Sequence, residues 1–353
     1  MNSKLSQLSA PVLAVLVGAA AAPQVEAQEP PTQAPDLKKL SKFEGTWAAE
    51  GTYSVPEGDG EWGGVLDCRW ILDGFAMEAR QTIGFEIPEG ALQVLASTVM
   101  GHDPATDTLK FYDFANDGKP GTIGTADWVD SSTLVSVITS RGAKGTTIRR
   151  STWRFAGDSM EFVHEVMDGA EPFHTEVTGT FTKVEEDVEW PTETRFQFGG
   201  PVRPEMSKLK PFLGDWETAG WMVMPGFGKM PLTGTEQVHK RMGGHIVEFT
   251  TTGIAEGDPN EYHARTFVEW NPMTESYQMV SFSNMGEFTH CEMNWTDDSS
   301  LTNFISSEWL GQSMLSRGVM KVSDDKVTVD THAIFGMEDP LHMFHIDYTR
   351  ADD

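Results

Sequence analysis

Cysteine is nearly absent from this chain of 353 residues, which holds two, Cys68 and Cys291. Cys68 alternates in phase with Leu66, Trp70 and Leu72, and Cys291 with Met293 and Trp295, so each thiol is expected on the apolar face of a strand. They fall in different halves of the chain. Thiols buried in separate cores cannot approach within the few ångströms a bridge requires, so two free thiols are expected.

Basic residues are also scarce: 26 Lys and Arg stand against 53 Asp and Glu, a formal net charge of -27. No basic stripe gathers along any segment, which argues against nucleic acid and anionic membranes as partners. No apolar run is long enough for a transmembrane helix: Val12 to Ala22 (VLAVLVGAAAA) has eleven residues, where a bilayer needs about 20. Catalytic signatures are missing as well. There is no Gly-x-Ser-x-Gly elbow, no His-Glu-x-x-His, no phosphate-cradling glycine loop and no dinucleotide fingerprint, so the balance leans away from an enzyme.

The short apolar run has a different use. With Lys4 before it and Val25-Glu26-Ala27 after it, residues 1–27 have the makeup of a signal peptide cleaved near Ala27. The expected mature protein is exported, periplasmic or secreted, and opens on a Pro-rich lead-in over 28–36.

What the chain does have is glycine, tryptophan and an internal repeat. Its 34 glycines and 11 tryptophans suit a turn-rich β protein. LKKLSKFEGTW (37–47) aligns with MSKLKPFLGDW (206–216), with the same residue at five of eleven positions. LDGFAME (72–78) then faces MGGHIVE (242–248), HDPATD (102–107) faces WNPMTE (270–275), WVDSSTL (128–134) faces WTDDSSL (295–301), and TFTKV (180–184) faces DYTRA (347–351). Five anchors in one order at nearly constant offset mark a tandem duplication. Repeat 1 spans 37–186 and repeat 2 spans 205–353, with a linker over 187–204 that is rich in Pro, Gly and Thr.

Inside each repeat the hydrophobic period is two, as in TLVSVIT and MEFVHEVM, or RTFVEW and DKVTVDTHAIF. Asp73-Gly74 and Gly243-Gly244 have the composition of two-residue hairpin turns, and Asp103-Pro104 and Asn271-Pro272 that of type I turns. Each repeat therefore predicts a meander of eight to ten antiparallel strands. Closing such a sheet removes its exposed edges, so an up-and-down barrel is expected, with a sandwich as the other solution. Leu37, Leu40 and Phe43, like Met206, Leu209 and Phe212, are spaced by three and predict one helical turn plugging a barrel end.

A plug turn, Gly-x-Trp on the first strand and a base near the end of the last strand resembles the lipocalin and calycin pattern. The resemblance implies a barrel floor made by Trp47 with Lys183 and by Trp216 with Arg350, each base lying across an indole. The whole pattern, twice over, also resembles the bacterial family DUF1579 of exported proteins, which implies a calycin-like barrel and no activity. Both resemblances agree with an all-β chain of two tandem antiparallel up-and-down barrels.

Candidate binding residues follow from strand phase. His164 shares a face with Met160, Phe162 and Val166, and His342 with Phe344, Ile346 and Tyr348; each would be a satisfied core group or a polar anchor in a cavity. Met222, Met224, Phe249, Met279 and Met293 are further candidate lining residues for a small, largely apolar ligand. Seven of ten histidines and thirteen of eighteen methionines lie in repeat 2. No metal or cofactor is assigned on that basis. His332, His342 and His345 are weak metal candidates, haem or copper being the alternative, but His342 and His345 differ by three and are expected on opposite faces. Glu78 and Glu248 occupy matching positions, consistent with a shared site or a shared solvated face. Three functional readings stand: a small-molecule binding protein, a barrel enzyme with an inward His and carboxylate, and an interaction scaffold. The sequence sets no oligomeric state.

Overall fold

A computed structural model describes residues 32–351 apart from 57, 88–89, 143–144, 186–200, 225–227, 259, 310–311, 324–325 and 336–338. The expected signal peptide, residues 28–31 of the lead-in and most of the linker lie outside the described residues. The chain divides into two compact units, each a closed ten-stranded barrel. β1 (Gly45–Val55) to β10 (His174–Val184) form the first, and β11 (Gly214–Met224) to β20 (Leu341–Arg350) the second. Every strand pairs antiparallel with its sequence neighbour, and the first strand closes on the last: Trp47 faces Lys183, and Trp216 faces Arg350. No helix is long and apolar enough to cross a membrane among the described residues.

Two local features position everything else. Short helical segments, Pro35–Lys38 with Lys39–Lys42 and Pro204–Phe212, bury Leu37, Leu40 and Phe43, or Met206, Leu209 and Phe212, in the adjoining barrel core. The Gly-x-Trp strand follows at once. Trp47 Nε1 donates to the Phe43 carbonyl and Trp216 Nε1 to that of Phe212, both at 2.7 Å, so each indole is buried with its polar atom satisfied. The glycine has its own reason. Gly45 and Gly214 hold φ of 112° and 120°, and a Cβ there would lie 2.9 Å from Lys183 Cε or 2.4 Å from an Arg350 guanidinium nitrogen. Glycine thus supplies the backbone angle and the room for the base over the tryptophan.

The connections after β2 (Gly58–Ile71) and β12 (Gly228–Arg241) differ from the expected two-residue hairpins. Leu72–Gly74 and Met242–Gly244 form short helical turns in which all three residues have positive φ. The Asp103-Pro104 and Asn271-Pro272 turns end β4 (Gly90–Asp103) and β14 (Tyr262–Asn271), with Asp107 and Glu275 closing them at positive φ.

Candidate functional site

The two barrels have the same frame and different interiors. At one pair of equivalent inward positions on the third strand, the first barrel carries Ala79 and the second Phe249. In the first barrel a cavity of about 460 Å³ runs from the plug residues Leu40 and Phe43 to Asp117, Lys119 and Pro120, in the connection between β5 (Thr108–Ala115) and β6 (Thr122–Trp128). Lys119 is largely exposed there, so that end is the mouth. The walls are apolar along most of their length, with Leu66, Met77, Met100, Phe111, Ile138, Trp153 and Phe162. The volume is in the range of sites for drug-sized molecules.

Polar side chains enter this lining at two places. On β8 (Gly145–Ala156) and β9 (Ser159–Asp168), Arg149, Ser151 and His164 reach the cavity, and Ser151 Oγ lies 2.8 Å from His164 Nδ1. Burial holds the His164 pKa below the ordinary imidazole value, and the Arg149 charge adds to this against an opposing effect of Glu165. On β4 and β5, Thr98 Oγ1 donates to Asp113 at 2.9 Å. Burial pushes Asp113 up to about 6, helped by Asp117 and opposed by the Thr98 hydrogen bond. Arg149 makes no ion pair among the described residues; its hydrogen bond goes to Ser140 Oγ at 3.4 Å.

His164 therefore lines the cavity, and its ring nitrogen meets a serine where the acid–base reading required a carboxylate. Sequence phase pointed to His164. It did not single out Arg149, Ser151, Asp113 or Thr98, although these stand in phase with the apolar lining residues of their own strands, Trp153, Phe111 and Met100.

In the second barrel the remaining lining candidates are packed. Met222, Phe249, Met279 and Met293 belong to one buried core, and the cavity touching Phe249 holds about 10 Å³. The side chain of Met224 lies outside the described residues. Cys68 lies at the first cavity wall and Cys291 in the second core, both free and buried.

Strand phase fails at His342. β20 carries a bulge: Thr331 pairs Phe344 and His332 pairs His342, which leaves Met343 as an extra residue. Met343 and Phe344 both turn into the core, and the alternation beyond them is reversed. His342 therefore points outward, not into the apolar interior, and shares the outer face with His345 where opposite faces were expected. Both meet Asp330 of β19 (Lys326–Phe335): His342 Nε2 lies 3.0 Å and His345 Nδ1 2.8 Å from the same Asp330 Oδ1. His332 stacks on His342 with ring centroids 4.4 Å apart and planes within 8°. The Trp221 ring packs against both His342 and His345.

Glu78 and Glu248 are buried, not solvated. Glu78 accepts Ser97 Oγ at 3.0 Å and pairs with Arg80. Glu248 is held by Arg241 at 2.6 Å, by Arg265 and by His239 at 3.2 Å. The floor pairs form in both barrels, with Lys183 Nζ 5.5 Å from the Trp47 ring centroid and the Arg350 guanidinium carbon 4.0 Å from that of Trp216.

These features define a chain of two tandem ten-stranded up-and-down barrels, the first of which, among the described residues, holds an open cavity. No protein-family model matches the chain, and no curated protein matches it. The resemblance to DUF1579 thus finds no support in a family model. Similar solved structures include Rv2717c from M. tuberculosis, 14% identical, with 44% of this chain and 100% of that one covered and a TM-score of 0.33. A protein of unknown function of the DUF3598 family from Nostoc punctiforme is 9% identical, with 90% and 100% covered and a TM-score of 0.26. A putative AttH from Nitrosomonas europaea is 10% identical, with 93% and 99% covered and a TM-score of 0.13.

Proposed function

We propose that the first barrel binds a small, largely apolar molecule bearing an acidic group, and that the protein does so after export. The cavity of about 460 Å³ carries this reading, because no set of apolar side chains fills the space between plug and mouth. The acidic group follows from Arg149, a cation in the cavity wall with no carboxylate partner among the described residues. A ligand carboxylate or sulfonate would give it a charge-assisted partner. The second barrel, packed around its methionines, serves on this reading as a folded companion.

An anionic naphthalene-sulfonate fluorophore titrated into the full chain tests the reading. Ala79→Phe introduces into the first barrel the side chain that repeat 2 carries at Phe249. One probe equivalent with fluorescence gain is expected, lost in Ala79→Phe while the circular dichroism is unchanged. Binding that survives this substitution would place the probe elsewhere and overturn the reading. Intact mass of the protein from its native source checks export through loss of residues 1–27.

A further inference from the structure

We infer that Asp330, His342 and His345 form a binding site for one divalent transition-metal ion of the zinc type on the outer wall of the second barrel. The site is independent of the cavity in the first.

Three donor atoms converge from two strands. Asp330 Oδ1, His342 Nε2 and His345 Nδ1 all lie within 4.8 Å of one another, with the two imidazole contacts to the carboxylate at 3.0 and 2.8 Å. Ligands held about 2.0–2.2 Å from a tetrahedral zinc sit roughly 3.2–3.6 Å apart, so seating an ion asks each contact to open by only a few tenths of an ångström. Two histidines and a carboxylate leave at least one coordination position, and it faces solvent, since the His342 side chain is 38% exposed.

The surroundings are those of ligands held in place. His345 Nε2, its other ring nitrogen, lies 3.5 Å from Asp347 Oδ1. A carboxylate behind a metal-bound imidazole fixes its tautomer and raises its basicity. Asp347 is itself anchored by Lys326 at 2.9 Å. His342 packs against both His332 and Trp221, and Lys229 Nζ lies over the Trp221 ring, 3.8 Å from its centroid. Both rings are thereby restricted before any ion arrives.

The bulge is the decisive element. Regular alternation from Tyr348 would send His342 into the core and leave Asp330 with one histidine. The extra residue Met343 brings a second imidazole onto the same oxygen, at the cost of a disrupted ladder. The donor set also selects the metal. Imidazole and carboxylate suit Zn²⁺, Ni²⁺ and Cu²⁺, whereas Cu(I) calls for thioether or thiolate. Met343, the methionine nearest in sequence to these histidines, lies in the barrel core.

Isothermal titration of Zn²⁺ into the chelator-treated full chain, with Mg²⁺ as comparison, tests the assignment. One equivalent of Zn²⁺ and no Mg²⁺ uptake are expected. Asp330→Asn, His342→Ala and His345→Ala should each weaken binding by roughly 100-fold or more, Asp347→Asn by about 10–100-fold. His102→Ala, in the first barrel, should leave it unchanged, and His332→Ala should cost less than His345→Ala because that ring stacks without coordinating. Circular dichroism confirms that each variant is folded. Absence of Zn²⁺ uptake, or uptake insensitive to His342 and His345, overturns the site.

Discussion

Arg350 stands over the indole of Trp216 and also donates to the carbonyls of Leu213 and Pro211, the latter at 3.0 Å. Lys183, its counterpart in the first barrel, has the ammonium farther from Trp47 and lacks the planar fork. Arg350→Ala should therefore destabilise the second barrel by about 1–3 kcal/mol, combining a cation–π contact with charge-assisted hydrogen bonds. Lys183→Ala should cost the first barrel less than about 1 kcal/mol. Urea unfolding followed by tryptophan fluorescence checks the order of the two effects.

Arg149→Gln removes the positive charge from the cavity wall and keeps a polar, hydrogen-bonding side chain there. Affinity for an anionic fluorophore should fall about tenfold or more, while affinity for a neutral apolar analogue stays within about twofold. Equal losses for both probes would mean that Arg149 acts through packing.

Stability should fall on both sides of mildly acidic pH, for opposite reasons. Burial raises Glu248, but the His239 hydrogen bond, Arg265 and Arg241 outweigh it and lower its pKa to about 2. Its contribution is present above the unfolded value near 4.5 and is lost as pH falls from there toward 2. Burial instead raises Glu236 to about 7 and Glu287 to about 8, each opposed by one hydroxyl hydrogen bond. Both bind a proton in the folded state that the unfolded chain has released, so stability declines as pH rises from about 4.5 to 8. Glu287→Gln should raise Tm more at pH 8.5 than at pH 5. Calorimetry at the two values decides it, and equal shifts would refute a protonated Glu287.

Glu248→Gln should be the most damaging of the carboxylate substitutions, at about 3–5 kcal/mol. It leaves the buried Arg241 and the partly buried Arg265 beside a neutral amide. Chemical denaturation at pH 7 measures this loss directly.

Burial pushes the Cys68 thiol well above its usual value and Cys291 up to about 12. Neither should react with an aromatic disulfide reagent in the native state, and both should react in denaturant. Partial native labelling of Cys68 alone, relieved by an apolar ligand, would trace access through the cavity.

The barrels, the plugs and the floor tryptophans were legible because each rests on local chemistry repeated twice: period-two strands, apolar residues spaced by three, and Gly-x-Trp with its terminal base. The bulge at Met343 was not. A bulge adds one residue without a compositional mark, and everything read by alternation beyond it is assigned to the wrong face, as His342 shows. The difference between interiors was only half legible. Ala79 and Phe249 share a phase, and phase reports direction and not volume, so the methionines of repeat 2 could be read equally as lining or as filling. Burial of Glu78 and Glu248 was hidden for a related reason, since a charged residue beside hairpin turns carries no sign of the partners that other strands bring to it.

The seam between first and last strand has a consequence in time. Trp47 meets Lys183, and Trp216 meets Arg350, only when the chain's two ends of each repeat have come together. Nine hairpin contacts can form in order as the chain lengthens, yet the tenth must wait for the final strand and bear the full entropy of closing the loop. The tryptophan that opens each repeat is thus among the last residues to find its partner. Until then both sheet edges stand exposed, and during that interval each repeat is most open to pairing with the wrong neighbour.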